Sequence, residues 1–492
     1  MDNELKIKIG QMFMCGFNSH YINEHISSLV DQYYLGNIIL FSRNLNDEKQ
    51  VLKLNESLKT LIYTKTNIYP FISIDEEGGT VSRLRKVYGE FLGHYAIGAL
   101  YDKDIAYNIA ADVGHRLYNL GVNLNLAPVA DINSNPENIG IGIRSFGENS
   151  EKVKDMAFST IKGYESSNII PTLKHFPGLG DLSVDSHHDL PVLNKSLDEL
   201  KKQEILPFKY AIDNDLKSIM VSHVIVKELD ENYPASMSKA VITNLLRKDL
   251  GYENLVITDC YEMGAIQKNY GIGEAVVIGI NAGVDIFDIS HTIEEQVKAF
   301  ESVYKAVEDG VISEERINES YYRIIKMKNS ISKDTNKPTK IDFEDIYLKV
   351  LQKNNFNKLN LDKNKTIALG VKQFVSNPAE DEILNPINIS DIFEKVTNIK
   401  TIGFEKDIED KDILELIHKT KDYNNILLFV GDMDIYKQQH KIYEMLKSKN
   451  IYLFDMRLNV AKLPFSPITY FSAYTYTNKS VEILCKYIKD FI

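Results

Sequence analysis

Between Lys174 and Pro191 the chain reads KHFPGLGDLSVDSHHDLP, three histidines and three aspartates within 18 residues, directly after an apolar segment. A loop this polar behind a buried type of strand calls for a functional reading. Metal binding by His175, His187, His188 and the aspartates is the weaker one, because the spacing matches no helical two-histidine pattern and brings no cysteine. Acid/base work is the stronger. Asp185 and His187, two residues apart, can set a carboxylate against one imidazole nitrogen, which fixes the tautomer and raises basicity. A solvated surface turn is the plain alternative for the stretch.

Three more stretches carry candidate chemistry. LVITDCYEMGAI, from Leu255 to Ile266, is an apolar strand ending in Asp259. A carboxylate there is a nucleophile, a metal ligand or the N-cap of the next helix. In ISIDEEGGTVSRL the Gly78-Gly79 pair lets backbone approach a ligand, while Asp75 and Arg83 offer polar recognition. In ADINSNPENIGIGIRSFG, Arg144 is the one charge between Asn138 and Gly147, held either for a ligand or by a structural carboxylate partner.

These residues need a scaffold, and the chain supplies a regular one. Apolar runs at Met12 to Gly16, Asn37 to Phe41, Phe71 to Asp75, Val122 to Pro128, Pro171 to Phe176, Ser218 to His223, Leu255 to Asp259 and Val284 to Ile289 alternate with helical stretches. Eight such βα units predict a closed (β/α)8 TIM-type barrel, a fold of about 250 residues. Asp75, Lys174, His175, His223 and Asp259 each end a predicted strand, at the face where barrel enzymes place their chemistry. Any one of them could merely cap a helix. Five together favour a catalytic barrel.

From Asn329 the sequence turns polar around Pro338, as a linker does. The expected division is a barrel over 1–330, a linker over 331–345 and a smaller α/β three-layer sandwich over 346–492. Its strands are expected at Thr366 to Val371, Ile399 to Phe404, Ile426 to Gly431 and Ile451 to Asp455. The 492 residues carry 57 Lys and Arg against 69 Asp and Glu, a net charge of −12 without a basic track, so nucleic acid is not an expected partner. No run of about 18 apolar residues occurs and the start, MDNELKIKIGQ, lacks a signal-peptide core, so a cytoplasmic protein without membrane attachment is expected. Cys15, Cys260 and Cys485 are too far apart for a zinc or redox motif and are expected as free thiols.

The four stretches, in this order and spacing, resemble glycoside hydrolase family 3, and within it the bacterial β-N-acetylglucosaminidase (NagZ-like) branch. The likeness rests on the KHFPG run, the Asp185-Ser186-His187 triplet eleven residues after its lysine begins, and the later Thr258-Asp259 strand end, and it covers residues 1 to about 330. Thr469 to Leu484 is similar in outline to the small α/β domain of two-domain members. The resemblance implies a retaining exo-acting glycosidase in which Asp259 is the nucleophile and His187, partnered by Asp185, is the acid/base. It also implies that Asp75, Arg83, Arg144, Lys174 and His175 line the sugar pocket, with Met263 packing beside the sugar.

Retaining hydrolysis needs a carboxylate on one face of the sugar and a proton donor on the other, and an imidazole near pKa 6.5 can give and recover that proton at neutral pH. No metal or organic cofactor is required. Buried Lys174 and Arg144 need counter-charges, for which Asp75 and Asp259 are the candidates. Two positions depart from the family pattern: Leu179 stands where a histidine is usual, and Thr80 where an arginine is common. Neither removes a catalytic group. The expected substrate is a small muropeptide-type or chitin-derived sugar with terminal β-linked GlcNAc. The alternatives are a phosphorylase releasing GlcNAc-1-phosphate, a β-glucosidase, and an inactive barrel kept for sugar binding.

Overall fold

The computed structural model describes residues 1–491 except 139, 183–189, 332–337, 339, 354–358, 360, 374, 376–378, 381–387, 433–436 and 458–468. Eight strands form one parallel sheet: β1 (Phe13–Cys15), β2 (Asn37–Leu40), β3 (Phe71–Ile74), β4 (Leu124–Asn125), β5 (Ile170–Phe176), β6 (Ser218–Val221), β7 (Leu255–Thr258) and β8 (Phe287–Ile289). Their order is β7-β6-β5-β4-β3-β2-β1-β8, and a parallel bridge from Ile257 to Ile286 joins the ends into a barrel. Each strand lies on one of the eight apolar runs. Every residue in them is buried, as parallel strands must be when helices cover the outside and side chains fill the inside.

Side-chain caps set where the outer helices start. Asn23, Asp47, Asp102, Asn149 and Ser313 each accept a backbone N–H from the first turn of the helix that follows. At the N-terminal end of the barrel, polar groups stitch strands together. Asn37 donates to the carbonyls of Gln11 and Phe13, and Asp285 pairs with Arg247 at 2.7 Å and Arg323 at 3.1 Å. That end is structural. The opposite rim is left to carry the site.

Among the described residues the second unit has five parallel strands: β9 (Thr366–Val371), β10 (Thr401–Phe404), β11 (Asn425–Val430), β12 (Asn450–Asp455) and β13 (Thr469–Ser472), in the order β10-β9-β11-β12-β13. Helices 389–397 and 478–489 pack on each other, as do 410–419 and 437–446, which gives the three layers expected. Strand β13 was not among the expected strands. Of the expected linker, 332–337 and 339 lie outside the described residues, and a helix starts at Phe343.

That helix packs on barrel helix 94–100. Glu90 of the barrel accepts hydrogen bonds from Lys479 N at 2.9 Å and from the Thr477 hydroxyl, capping helix 478–489 across the junction. Tyr95 stacks on Tyr474 beside it. Among the described residues, no helix is long and apolar enough to cross a membrane.

Candidate active site

At the C-terminal end of the barrel strands lies a cavity of about 470 Å³, within the range of small-ligand sites. It is lined by Asp75 after β3, Arg83, Arg144 from the loop after β4, Lys174 and His175 in β5, and Asp259 and Met263 after β7. Seven of the nine candidate residues are thus brought to one place. Asp185 and His187 lie outside the described residues; Leu182, three positions before Asp185, lines the cavity. His223 is not part of the lining. Its Nε2 donates to the Cys260 carbonyl at 2.9 Å and its Nδ1 meets the Ser236 hydroxyl at 2.8 Å, so it holds the loop that follows Asp259.

The charges are paired through a residue the sequence reading did not single out. Lys174 Nζ lies 2.8 Å from Asp75 Oδ1 and 2.6 Å from Glu77 Oε1. Arg144 grips the same Glu77 with two hydrogen bonds, Nε to Oε2 at 2.9 Å and Nη2 to Oε1 at 2.8 Å. Asp75 is therefore a counter-charge of Lys174 as expected, but Glu77, rather than Asp259, is the carboxylate in contact with Arg144. The reason is the glycine pair. Gly78 and Gly79 take φ of +81° and +61°, turning Glu76–Gly78 back onto Val81–Ser82 and burying Glu77 beneath the loop. A Cβ on Gly78 would stand 2.3 Å from the Leu92 carbonyl oxygen. The pair serves this turn.

Burial opposes ionisation of Glu77, yet the Arg144 and Lys174 charges outweigh it and hold the carboxyl well below the usual range. Burial likewise works against the Lys174 and Arg144 cations, and the carboxylates reverse it, raising both. His94, which meets the Arg144 carbonyl through Nδ1 at 2.8 Å, is pushed down to about 4 by burial and stays neutral.

His175 is held by a second unanticipated partner. Its Nδ1 lies 2.6 Å from Asp131 Oδ2, and its Nε2 lies 3.4 Å from Arg144 Nη2, which can only donate. The ring is thereby set with its proton on Nδ1. Asp131 Oδ1 also accepts the Leu179 N–H at 2.7 Å, and the Leu179 carbonyl accepts from Asn138 Nδ2. These bonds to the main-chain N–H and carbonyl of Leu179 anchor the loop there.

Asp259 Oδ1 accepts the Cys260 N–H at 2.8 Å, and the helix starting at Gly264 has Met263 at its N-cap without a side-chain bond. Asp259 is therefore not a helix cap. Arg83 Nη2 sits 4.0 Å from Asp75 and donates to the Ala379 carbonyl at 3.2 Å. Ala379 and Glu380 line the same cavity, so the second unit supplies part of its wall. Asp131 lies six residues beyond β4, and the signal that could have found it is its being the one acid in the turn-rich stretch from Ala130 to Pro136. Glu380 left no signal in the sequence.

A closed parallel barrel with carboxylates, a paired lysine and a doubly bonded arginine around one cavity at its C-terminal mouth is the arrangement of a barrel enzyme. Residues 4–327 match the model of the glycosyl hydrolase family 3 N terminal domain, and the chain belongs to that family. It is 35% identical over 329 residues to beta-hexosaminidase A of Pseudoalteromonas piscicida, covering 62% of this chain and 55% of that protein. It is 30% identical over 309 residues to beta-hexosaminidase LpqI of Mycobacterium tuberculosis, covering 61% of this chain and 77% of that protein. The structure of a family 3 beta-N-acetylglucosaminidase from Paenibacillus sp. str. FPU-7 aligns over 99% of this chain and 97% of that one, with a TM-score of 0.87 and 30% identity.

Proposed function

We propose that this chain is a retaining exo-β-N-acetylglucosaminidase that releases terminal β-linked GlcNAc from small muropeptide-type or chitin-derived sugars. Asp259 attacks the anomeric carbon and becomes the covalent glycosyl carrier. His187, partnered by Asp185, protonates the leaving oxygen and then takes the proton from the water that frees the sugar. Asp75, Lys174, His175, Arg144 and Arg83 hold the glycone, and Met263 packs against it.

The observation that carries this reading is that Asp259, spared from capping, opens into the one cavity that also gathers Lys174, Asp75, Arg144 and His175. A sugar offers neutral hydroxyls and an amide, and ions at such a site are tolerable only when paired, as Lys174 and Arg144 are through Asp75 and Glu77. Further support comes from the family and from the relatives named beta-hexosaminidase and beta-N-acetylglucosaminidase.

The test is turnover of nitrophenyl β-GlcNAc against the glucose analogue, each with and without inorganic phosphate. The reading expects free GlcNAc at a rate that phosphate does not change, and little cleavage of the glucoside. GlcNAc-1-phosphate as product would mean transfer to phosphate in place of water. A preference for the glucoside would overturn the sugar assignment.

A further inference from the structure

Asp288, the middle residue of β8, lines the same cavity as Asp75 and Asp259 but has no role in the chemistry above. It is 3% exposed. Its Oδ1 accepts the Ser290 hydroxyl at 2.8 Å, and its backbone N–H goes to the Thr258 hydroxyl at 3.1 Å. Oδ2 has no hydrogen-bond partner among the described residues. Asp75 and Glu77 both have a cation in contact, whereas no cation reaches salt-bridge distance of Asp288 among the described residues.

The groups that face Asp288 are mostly acidic or neutral: Asp75 beyond β3, Asp259, Cys260 and Glu262 beyond β7, and Cys15 on β1. Arg43, beyond β2, is the nearby cation, and it donates to the carbonyls of Phe17 and Ser290. A buried carboxyl in such company resists ionisation. Burial first, then the charges of Asp75 and Asp259, push Asp288 well above the ordinary carboxyl range, against the Ser290 bond. The neutral acid carries an O–H that needs an acceptor. Asp75 and Glu77 are paired with cations and Asp259 accepts the Cys260 N–H, while Lys174, Arg144 and Arg83 are cationic donors. Asp288 adds an uncharged donor for an oxygen lone pair.

We propose that Asp288 is a further glycone-recognition residue, meeting an oxygen of the bound sugar as a hydrogen-bond donor. This rests on the sugar-site reading above. Its consequence is that sugar binding weakens on the alkaline side, as Asp288 loses its proton and one more carboxylate joins those of Asp75, Glu77 and Asp259 in the cavity.

The test compares Asp288→Asn and Asp288→Val with wild type by kcat and KM on nitrophenyl β-GlcNAc between about pH 5 and about pH 9, and by calorimetric titration with GlcNAc. Loss of one such bond predicts that Asp288→Val raises KM and the GlcNAc Kd about tenfold while kcat changes much less. Asp288→Asn, which keeps a donor that cannot ionise, keeps KM near wild type at neutral pH and removes the alkaline rise in KM.

An unchanged KM in Asp288→Val would overturn the proposal, as would an alkaline rise that persists in Asp288→Asn. So would an Asn variant as impaired as the Val variant while melting like wild type. If Asp288→Val does not fold, the Asn variant and its pH series decide alone. Should wild type prefer another nitrophenyl glycoside, the functional reading fails separately, and the same comparison is run on the glycoside that it cleaves.

Discussion

Asp131 Oδ2 lies 2.6 Å from His175 Nδ1, both side chains buried at the mouth of the barrel. This contact, the Leu179 N–H on the other carboxylate oxygen and Arg144 beside Nε2 set the orientation of the ring. It is a different Asp–His pair from the one expected to move the proton.

Asp131→Asn replaces a charged acceptor by an amide that must turn an N–H toward either His175 Nδ1 or the Leu179 N–H. Charge-assisted bonds of this kind are worth about 1.5–3 kcal/mol. Steady-state kinetics should show KM for the GlcNAc glycoside raised by roughly tenfold or more, with a lowered Tm. Unchanged KM would mean that His175 does not need its partner to hold the sugar.

Glu77→Gln leaves Arg144 and Lys174 buried with one fewer counter-charge, and breaking a buried ion pair from one side costs about 3–5 kcal/mol. Denaturant unfolding of the barrel should register a loss of that order. The sign with pH follows from the depressed folded-state pKa. The stabilisation by Glu77 is fully present above its unfolded value of about 4.3 and is lost as pH falls through the folded one. Wild type should therefore lose more stability than Glu77→Gln on acidification below about pH 4.

The barrel was legible because its strands are short, wholly buried apolar runs, and polar residues at their ends are conspicuous against them. Asp75, Lys174, His175 and Asp259 were found in this way and do meet in one cavity. Glu77 was hidden because its burial comes from the turn at Gly78-Gly79, read as a ligand approach when it is a fold-back. Strand β13 escaped notice because Thr469 and Tyr470 are half-buried and its sequence, TYFS, carries a single strongly apolar residue. The wall made by Ala379 and Glu380 depends on how the second unit docks on the barrel. Three-dimensional packing sets that docking, and no local pattern encodes it.

His187→Ala should slow glycosides with poor leaving groups by about 10²–10⁴-fold and those with nitrophenolate groups far less, since the latter leave without protonation. A series of aryl GlcNAc glycosides of graded phenol pKa measures this. An equal loss along the series would make His187 a structural residue and remove the dyad.

In the proposed reaction Asp259 forms the covalent bond to the sugar. Asp259→Ala should cut turnover by about a thousandfold or more with the fold intact. The direct measurement is inactivation with a 5-fluoro GlcNAc glycoside followed by peptide mapping. One sugar per chain is expected, attached to Asp259 in the peptide that contains Leu255 to Ile266. A label on another carboxylate, or turnover with inverted stereochemistry and no adduct, would contradict it.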